Sequence, residues 1–481
     1  MSKPITLRYQ TTGDACTKSI LPVKNIPLRF VSVLLASAAF ALPRLAADQG
    51  DDIKALRSQI DALEQKLDVL EQKQEASDQK AAAAAKAAPT ATLTDKGFLF
   101  TSADGASWLH IGGQVQFDSR EFLADGGGLQ NNTFLLRRAR PIIDGTLDKI
   151  YSFQFVPEFG GTSPVSIFDA NVSIAPTQAV RFKFGKFKSP IGLEQLEDDA
   201  NTFFVERSLA TNLVPNRDLG AQVGGTIDGG VLTYAAGLFN GVPDAANTSN
   251  AAFENDKNVE ARVFLQPFIN AKDSLFHGVG AGVAGSFGRE KGAAALTAGY
   301  KTDGQQTFFN YGSTVVADGQ AWRVSPQAYY FHGPVGALAE YVVSTINVRP
   351  AATGANSQLE NKAWQAEVGY VITGEDATYS GVTPAAPFSW ANGTWGAWQV
   401  VARYADLKID PKAFPLFSST ATSAKEASAW GVGVNWYLTK AVRISQDFFD
   451  THFTKAGTAT PTNQILQQNE KALITRVQLA F

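Results

Sequence analysis

The chain has little that could cross-link it or bind a metal ion. Its 481 residues include one cysteine, one methionine and four histidines, and no HExxH pattern occurs. The cysteine, Cys16, precedes the main apolar segment, so the chain after that segment has no thiol. This excludes disulfides and thiolate metal sites there, and a zinc enzyme has little support. We therefore expect no metal and no cofactor.

Neither an excess of charge of one sign nor a high hydropathy is present. The formal net charge is -3, with a sequence pI of ≈ 5.9, and the mean hydropathy is -0.09. A nucleic-acid-binding domain usually carries a basic excess, so we expect no nucleic-acid partner. The low hydropathy does not exclude a membrane β-barrel, because such a barrel hides its lipid-facing residues in an alternating pattern.

One apolar run is long enough to suggest targeting. It extends from Leu28 to Leu42, with Lys24 and Arg29 at its start. This arrangement is typical of a secretory signal peptide, and the run is too short to span a bilayer as a mature helix. We predict that residues 1–47 are a signal peptide, cleaved near residue 41 or 47.

The last nine residues, LITRVQLAF, alternate between two faces. Leu473, Val477, Leu479 and Phe481 lie on one face of a strand, since strand side chains have a period of two. A strand that finishes on an aromatic residue is typical of an outer-membrane barrel, where Phe481 would join the aromatic girdle at the periplasmic interface. A last strand of a soluble β-sandwich stays an alternative for these residues alone.

Residues 97–481 contain about sixteen such alternating segments. Their even number and their length predict an all-β transmembrane barrel of about sixteen antiparallel strands, preceded by a short N-terminal coiled-coil helix. Short and long connections alternate, as expected for periplasmic turns and external loops. The connection at 374–394 breaks this rule, and either a missed strand or an elaborated turn would explain it. The predicted segments are 107–123, 133–147, 150–159, 166–175, 179–187, 218–227, 231–240, 257–267, 277–288, 320–331, 335–346, 362–373, 395–406, 427–438, 441–453 and 472–481.

Residues 48–80 carry a heptad pattern that predicts a periplasmic coiled coil. Its Ile and Leu positions formally favour two strands, and a lone helix of this length would be marginal in water. A monomeric amphipathic helix that lies on the barrel or on peptidoglycan is the alternative. An Ala-rich linker, residues 81–96, follows and contains Pro89. The predicted seam is Ile53, Leu56, Ile60, Leu63, Leu67 and Leu70.

The alternation also predicts which charged residues line the lumen. A charge on the lipid face near mid-bilayer costs about 2–4 kcal/mol, so charged strand residues should face inward. Rings of Arg and Lys in a narrow pore select anions. Salt bridges between these residues and lumen carboxylates such as Asp144, Glu260, Glu340, Glu367 and Asp447 are the alternative. The predicted cationic residues are Arg138, Arg140, Arg181, Lys183, Arg262, Arg323, Arg403, Arg443 and Arg476.

Several motifs in order give the chain a family resemblance. They are FLLRRARP at 134–141, RFKFGKFKSPIGLE at 181–194, PNRDLGAQVGG at 215–225 and GAWQVVARYADL at 396–407. Together they resemble the phosphate-selective porin O/P family over essentially the whole barrel. The resemblance implies a homotrimeric channel of the bacterial outer membrane that binds phosphate or polyphosphate through arginines and lysines. It also implies lipid, lipopolysaccharide and the barrel-assembly machinery as partners.

The long segment 188–217 would then be the external loop that folds inward and narrows the pore. Lys186, Lys188, Arg207 and Arg217 match basic positions of the family motifs and are candidate constriction residues. The acidic run at 197–199 departs from a simple anion funnel. It could pair with wall arginines and hold the loop in place, or it could make the pore less selective.

The leading hypothesis is passive, anion-preferring diffusion of phosphate or a related oxyanion, with no enzyme activity. A general or organic-anion porin is one alternative. The other is an outer-membrane barrel with an adhesive or enzymatic role, although no Ser–His pair with recognisable spacing was found. Tyr329, Tyr330, Trp395, Trp398, Trp430 and Trp436 are predicted belt aromatics, whereas Phe388 and Trp390 have no predicted place.

Overall fold

The computed structural model of the chain describes residues 49–123, 131–161, 165–248, 255–296, 299–352 and 354–481. The chain divides into two compact units, Met1–Ala82 and Ala83–Phe481. The predicted signal peptide lies outside the described residues.

Helix α1 runs from Gln49 to Ala87 and contains the heptad pattern. The six predicted seam side chains are 50–65% exposed in the single chain. Pro89 follows the helix and cannot continue it. The segment predicted as a linker therefore holds the last turns of this helix and a short strand, β1 (Thr90–Thr94). Among the described helices, none combines the length and the apolar character that a membrane span requires.

Sixteen antiparallel strands form a closed barrel, which confirms the predicted fold class. Each strand pairs with its neighbour along the chain, and the last strand pairs with the first to close the cylinder. Each predicted segment overlaps one of these strands. They are β3 (Trp108–Phe122), β4 (Thr133–Leu147), β5 (Tyr151–Glu158), β6 (Ser166–Ile174), β7 (Arg181–Lys188), β8 (Arg217–Ile227), β9 (Leu232–Phe239), β10 (Asn258–Leu265), β11 (Val279–Gly292), β14 (Val315–His332), β15 (Val335–Pro350), β16 (Ser357–Val371), β19 (Ala397–Lys408), β20 (Ala424–Tyr437), β21 (Val442–Lys455) and β22 (Glu470–Ala480).

The barrel wall has unequal height. Strands β5–β10 have 8 to 11 residues, whereas β14, β15 and β16 have 18, 16 and 15. The tall strands extend toward the long loops, so the loops predicted at 289–319 and 347–361 are too long. The pair Arg349–Asp318, with Nε 2.7 Å from Oδ2, lies in this extension. The alternation of apolar residues does not extend that far, because no lipid requires it there.

A short hairpin lies beside the junction of β3 and β22, where the barrel closes. Strand β2 (Gly97–Thr101) pairs with β1 and with residues 108–111 of β3, beside the stretch of β3 that β22 occupies. The Phe481 amide donates to the Gly113 carbonyl at 2.9 Å, and the Gly113 amide donates to the Phe481 carbonyl at 2.7 Å. A Cβ on Gly112 would lie 2.3 Å from that Phe481 oxygen, so this close approach requires glycine.

The two faces of the strands follow the predicted alternation. Apolar residues such as Phe184, Val263 and Val477 are exposed on the outside, where lipid would cover them. Arg138, Arg323 and the other predicted lumen arginines of β4 and β14 to β22 are buried on the inside. Tyr329 is an exception to the predicted belt, because it lies on the inner face beside Gln327 and packs against Phe264 with ring centroids 4.9 Å apart.

Two inward loops fill part of the lumen with an apolar core. One lies between β7 and β8 and includes α2 (Leu193–Leu196) and a 3-10 turn at Leu209–Leu213. The other lies between β11 and β14 and includes β12 (Tyr300–Lys301) and β13 (Thr307–Phe309). Their buried residues pack against the inner faces of β15, β16, β19 and β20. This core includes Leu209, Leu213, Tyr300, Phe308, Phe309, Val342, Ile346, Leu359, Leu407 and Ala427.

The exceptional connection between β16 and β19 is an elaborated turn and contains no missed barrel strand. It holds the two-residue strands β17 (Ala377–Thr378) and β18 (Gly381–Val382), which form a small hairpin. Ala377 and Val382 pack with inward-facing residues of the wall, including Tyr437. The first half of this connection therefore lies on the lumen side of the barrel rim.

Candidate functional site in the barrel lumen

The loop at 189–216 crosses the lumen and is held by side chains of the opposite wall. The Glu340 carboxylate on β15 accepts hydrogen bonds from the backbone amides of Leu193, at 2.7 Å, and Glu194, at 3.3 Å. Asp447 on β21 accepts the Val205 amide at 2.7 Å. Two of the predicted lumen carboxylates thus bind loop backbone, and anionic groups at the start of a helix such as α2 satisfy its free amides.

Asp199, in this loop, is the centre of an arginine cluster. Its side chain is 3% exposed, and its carboxylate contacts the guanidinium groups of Arg138, Arg140 and Arg207. The Arg138 Nε lies 3.2 Å from Asp199 Oδ2. Arg140 also pairs with Glu158 at 2.5 Å. Asp199 thus pairs with Arg138 and Arg140 of the wall, as one hypothesis for the acidic run predicts, and that this pairing holds the loop stays a prediction.

Glu206 forms a second cluster with three arginines. Arg120 and Arg137 each approach Glu206 Oε1 at 2.6 Å, and Arg476 lies 3.2 Å from the same oxygen. Arg137 reaches the lumen beside Arg138 because the strand pairing shifts at this point, which makes Arg137 an additional residue in β4. Strict alternation would place Arg137 on the lipid face, so sequence reasoning missed it.

Burial and the nearby arginines shift the pKa of the Asp199 and Glu206 carboxyl groups in opposite directions. Burial alone would raise the pKa of Asp199, but Arg138, Arg207 and Arg140 outweigh it and hold this pKa well below its usual range. Arg137 and Arg120 do the same for the pKa of Glu206. Both groups are therefore ionised at neutral pH.

Glu197 in the same loop behaves differently. Burial, together with the neighbouring negative charge of Glu194, raises the pKa of Glu197 to about 8. Its backbone carbonyl accepts Lys188 Nζ at 2.6 Å and Arg207 at 2.7 Å. The loop thus holds one carboxyl group that is largely protonated at neutral pH.

Many predicted lumen arginines are paired with carboxylates, as the salt-bridge alternative states. Arg403 contacts Glu194 at 3.1 Å and also Asp303. The other paired residues are Arg138, Arg140 and Arg207 with Asp199, Arg217 with Asp169, Arg323 with Asp244, and Arg476 with Asp118 and Glu206.

Six predicted cationic residues make no salt bridge within the described ranges. Arg262 donates to Gln327 at 2.9 Å, Lys186 to the Thr248 carbonyl at 2.7 Å, and Arg443 to the Thr202 carbonyl at 2.9 Å. Neutral acceptors leave the positive charge of such groups uncompensated. The full set is Arg181, Lys183, Lys186, Lys188, Arg262 and Arg443.

Two cavities lie on either side of the Asp199 cluster. The cavity toward the long loops has a volume of about 480 Å³ and is lined by Arg137, Arg138, Arg207, Lys301 and Glu206. The cavity toward the short turns has a volume of about 420 Å³, and its charged lining is Arg140, Lys183, Lys188, Arg217, Arg262, Asp169, Asp198 and Asp199. Arg138 and Arg140 reach different cavities, so the cluster separates them, and cations outnumber carboxylates in both.

Lys301 was also missed, because it lies in an external loop and no sequence pattern indicated that this loop folds inward. Among the described residues, no group of three or more His, Cys, Asp or Glu side chains is arranged to hold a metal ion. The arrangement offers charged walls and water-accessible space, which can bind and pass small ions.

A closed sixteen-stranded barrel with an ion-paired inner loop defines a channel of the bacterial outer membrane. Comparison with known proteins gives the family. The sequence profile for phosphate-selective porins O and P matches residues 109–481. The chain belongs to the phosphate-selective porin O and P family, and the predicted resemblance is confirmed.

Individual proteins agree with this assignment. The chain is 27% identical to Porin O of Pseudomonas aeruginosa over 428 residues, which cover 81% of this chain and 90% of that protein. In fold it is similar to the outer-membrane channel DcaP of Acinetobacter baumannii, with a TM-score of 0.52 and 10% sequence identity over 79% of this chain and 99% of that one. At this identity the second likeness concerns the fold alone.

Proposed function

We propose that the chain is a passive outer-membrane channel for phosphate or a related small oxyanion, which binds transiently to lumen arginines and lysines. The observation that carries this proposal is the pair of cation-rich cavities around the Asp199 cluster. The family, described as phosphate-selective, and the relative Porin O support the same solute class. No covalent step is required, because the ion must only bind well enough to enter and weakly enough to leave.

The ion pairs divide the predicted residues into two roles. The wall arginines paired with Glu194, Asp199 or Glu206 hold the inner loop against the wall, and all the paired arginines contribute less net charge to passing ions than unpaired ones. The residues without such partners supply the uncompensated positive charge. Lys183 and Arg262 line the cavity toward the short turns, and we assign the main anion contacts to them.

The test is a reversal potential in planar bilayers under a salt gradient, first with chloride and then with phosphate. Lys183→Gln and Arg262→Gln should each reduce the anion-to-cation permeability ratio, because each removes a full charge beside the ion path. Lys272→Gln, at an exposed position in a short-turn connection, is the matched control and should leave the ratio unchanged.

Arg181→Ala should also weaken the anion preference, as should Arg138→Ala, because the loss of Arg138 leaves the negative charge of Asp199 less compensated. Reversal potentials unchanged in all four lumen variants would contradict the proposed anion path. If phosphate does not reduce the chloride current while larger organic anions do, the alternative of an organic-anion porin replaces phosphate as the proposed solute. Equal chloride and potassium permeability would instead indicate a general pore.

The assembly is also a proposal. The exposed apolar seam of α1 supports association with further copies, and we propose a homotrimer with this helix in the periplasm. Lipid, lipopolysaccharide and the barrel-assembly machinery are the remaining proposed partners. We further propose that the chain has no enzyme activity, in agreement with a family of channels.

A further inference from the structure

An unusual stretch of sequence begins in the elaborated connection between β16 and β19 and continues into β19. Residues 377–402 have no charged side chain, and three of the eight tryptophans of the chain, Trp390, Trp395 and Trp398, fall within nine residues of it. This stretch is too long for an ordinary turn and too apolar for a solvated one. Its aromatic residues therefore require a surface to contact.

The connection lies across the rim of the barrel. In its first half, the Tyr379 hydroxyl donates to the Leu193 carbonyl of the inner loop at 2.5 Å, and the Tyr379 ring stacks on Tyr329 at 5.4 Å between centroids. In its second half, the Phe388 ring lies 5.3 Å from Trp436, which is on the outer face of β20. One half thus reaches into the lumen, and the other half lies on the lipid side.

The aromatic residues of the second half form one cluster, which we call the aromatic platform. Trp398 and Trp436 stack with ring centroids 4.9 Å apart, and Phe388 contacts both Trp395 and Trp390. Trp390 is 79% exposed and Trp395 is 54% exposed. The platform consists of Phe388, Trp390, Trp395, Trp398 and Trp436.

Hydrogen bonds fix the platform in place. The Phe388 amide donates to the Leu438 carbonyl at 2.6 Å, and Ser389 and Thr394 exchange backbone hydrogen bonds at 3.0 and 3.2 Å. The Trp436 indole N–H donates to the Trp395 carbonyl at 2.7 Å. The exposure of Trp390 is therefore built into a defined turn.

We propose that the aromatic platform inserts into the headgroup region of the phospholipid leaflet at the short-turn end of the barrel. Tryptophan prefers this region because its ring is apolar while its N–H needs a polar partner. The platform is continuous with the lipid-facing surface through Trp398 and Trp436. Insertion would desolvate no charge between residues 377 and 402. The bilayer thereby anchors the connection whose other half supports the inner loop.

The test uses a single fluorescent probe in the full chain. In a Cys16→Ser background, Trp390→Cys is labelled with an environment-sensitive dye and the protein is reconstituted into phosphatidylcholine vesicles. Phospholipids brominated near the headgroup end of their acyl chains serve as one quencher, and iodide in the buffer serves as the other. Ser380→Cys, exposed in the lumen-side half of the same connection, is the matched control.

The expected result is a blue-shifted emission at position 390 that the brominated lipid quenches and iodide quenches weakly. At position 380 iodide should quench strongly and the brominated lipid should not. The proposal is overturned if iodide quenches both positions equally. It is also overturned if position 390 is shielded from both quenchers, because a protein surface, such as a second copy of the chain, would then cover the platform. Vesicle-bound porin with wild-type conductance shows that each labelled variant is folded.

Discussion

Asp199→Asn tests whether the inner loop is held by the arginine cluster. The substitution keeps the size of the side chain and removes one negative charge from among Arg138, Arg140 and Arg207. Hydrogen bonds to charged groups contribute about 1.5–3 kcal/mol each. Arg138 and Arg140 share Oδ2, whereas Arg207 binds Oδ1, so an amide that keeps one acceptor oxygen loses one or two of the three contacts. Leaving buried guanidinium groups without a partner costs about 3–5 kcal/mol, which is the expected decrease in the free energy of unfolding.

The assay is urea-induced unfolding in lipid vesicles, followed by tryptophan fluorescence. Asp198→Asn is the control, because Asp198 is the exposed neighbour with the same charge and no arginine partner in the described part of the chain. It should change the free energy of unfolding by less than about 0.5 kcal/mol.

A double variant makes the reasoning refutable. Arg138→Gln combined with Asp199→Asn removes one of the buried cations that the single Asp199→Asn substitution leaves without a partner. The double variant should therefore lose less free energy of unfolding than the sum of the two single losses, by about 1 kcal/mol or more. Strict additivity, or an Asp199→Asn protein as stable as Asp198→Asn, would refute the claim that this cluster holds the loop.

Three further predictions concern other features. The raised pKa of Glu197 is about 8, so the lumen gains a negative charge as the pH rises through that value. The anion preference, measured as a reversal potential, should therefore fall between neutral and alkaline pH, and it should fall less in Glu197→Gln. Leu63→Asp should abolish chemical cross-linking of α1 between copies, because it removes roughly 2 kcal/mol of apolar burial per helix. Gln65→Asp, on the other face of the helix, should leave the cross-linking unchanged. Cross-linking that survives in Leu63→Asp would contradict the predicted coiled-coil seam. Tyr379→Phe should reduce the free energy of unfolding by about 1 kcal/mol, because it removes the hydrogen bond from the Tyr379 hydroxyl to the Leu193 carbonyl. Tyr341→Phe, on the lipid face, should leave the free energy of unfolding unchanged. Equal effects of the two substitutions would count against a stabilising role of that hydrogen bond.

The barrel could be predicted from the sequence because lipid imposes a strict rule on each strand. Where the wall meets lipid, as in LITRVQLAF, apolar and polar residues must alternate, and the strand limits agree with the structure to within a few residues. Where β14 to β16 extend beyond the bilayer, the rule ends. The predicted segments there are too short for that physical reason.

The inward direction of the arginines was predictable, but their partners were not. Arg140 is 59 residues from Asp199, and no local pattern joins a wall strand to a loop that folds back across the lumen. The inward position of Arg137 was not predicted, because one additional residue in β4 shifts the alternation. Tyr329 was misplaced for a different reason, since an aromatic residue near a strand end can serve the girdle or the core equally well by composition.

The apolar core inside the barrel affects the strength of the field at the cations. Phe308, Phe309 and their neighbours replace water along one side of the interior, and hydrocarbon is far less polarisable than water. The electric field of the uncompensated lysines and arginines is thus concentrated in the part of the lumen that water still fills. A few charges beside this water act on a passing ion more strongly than the same charges would in a sixteen-stranded barrel filled entirely with water.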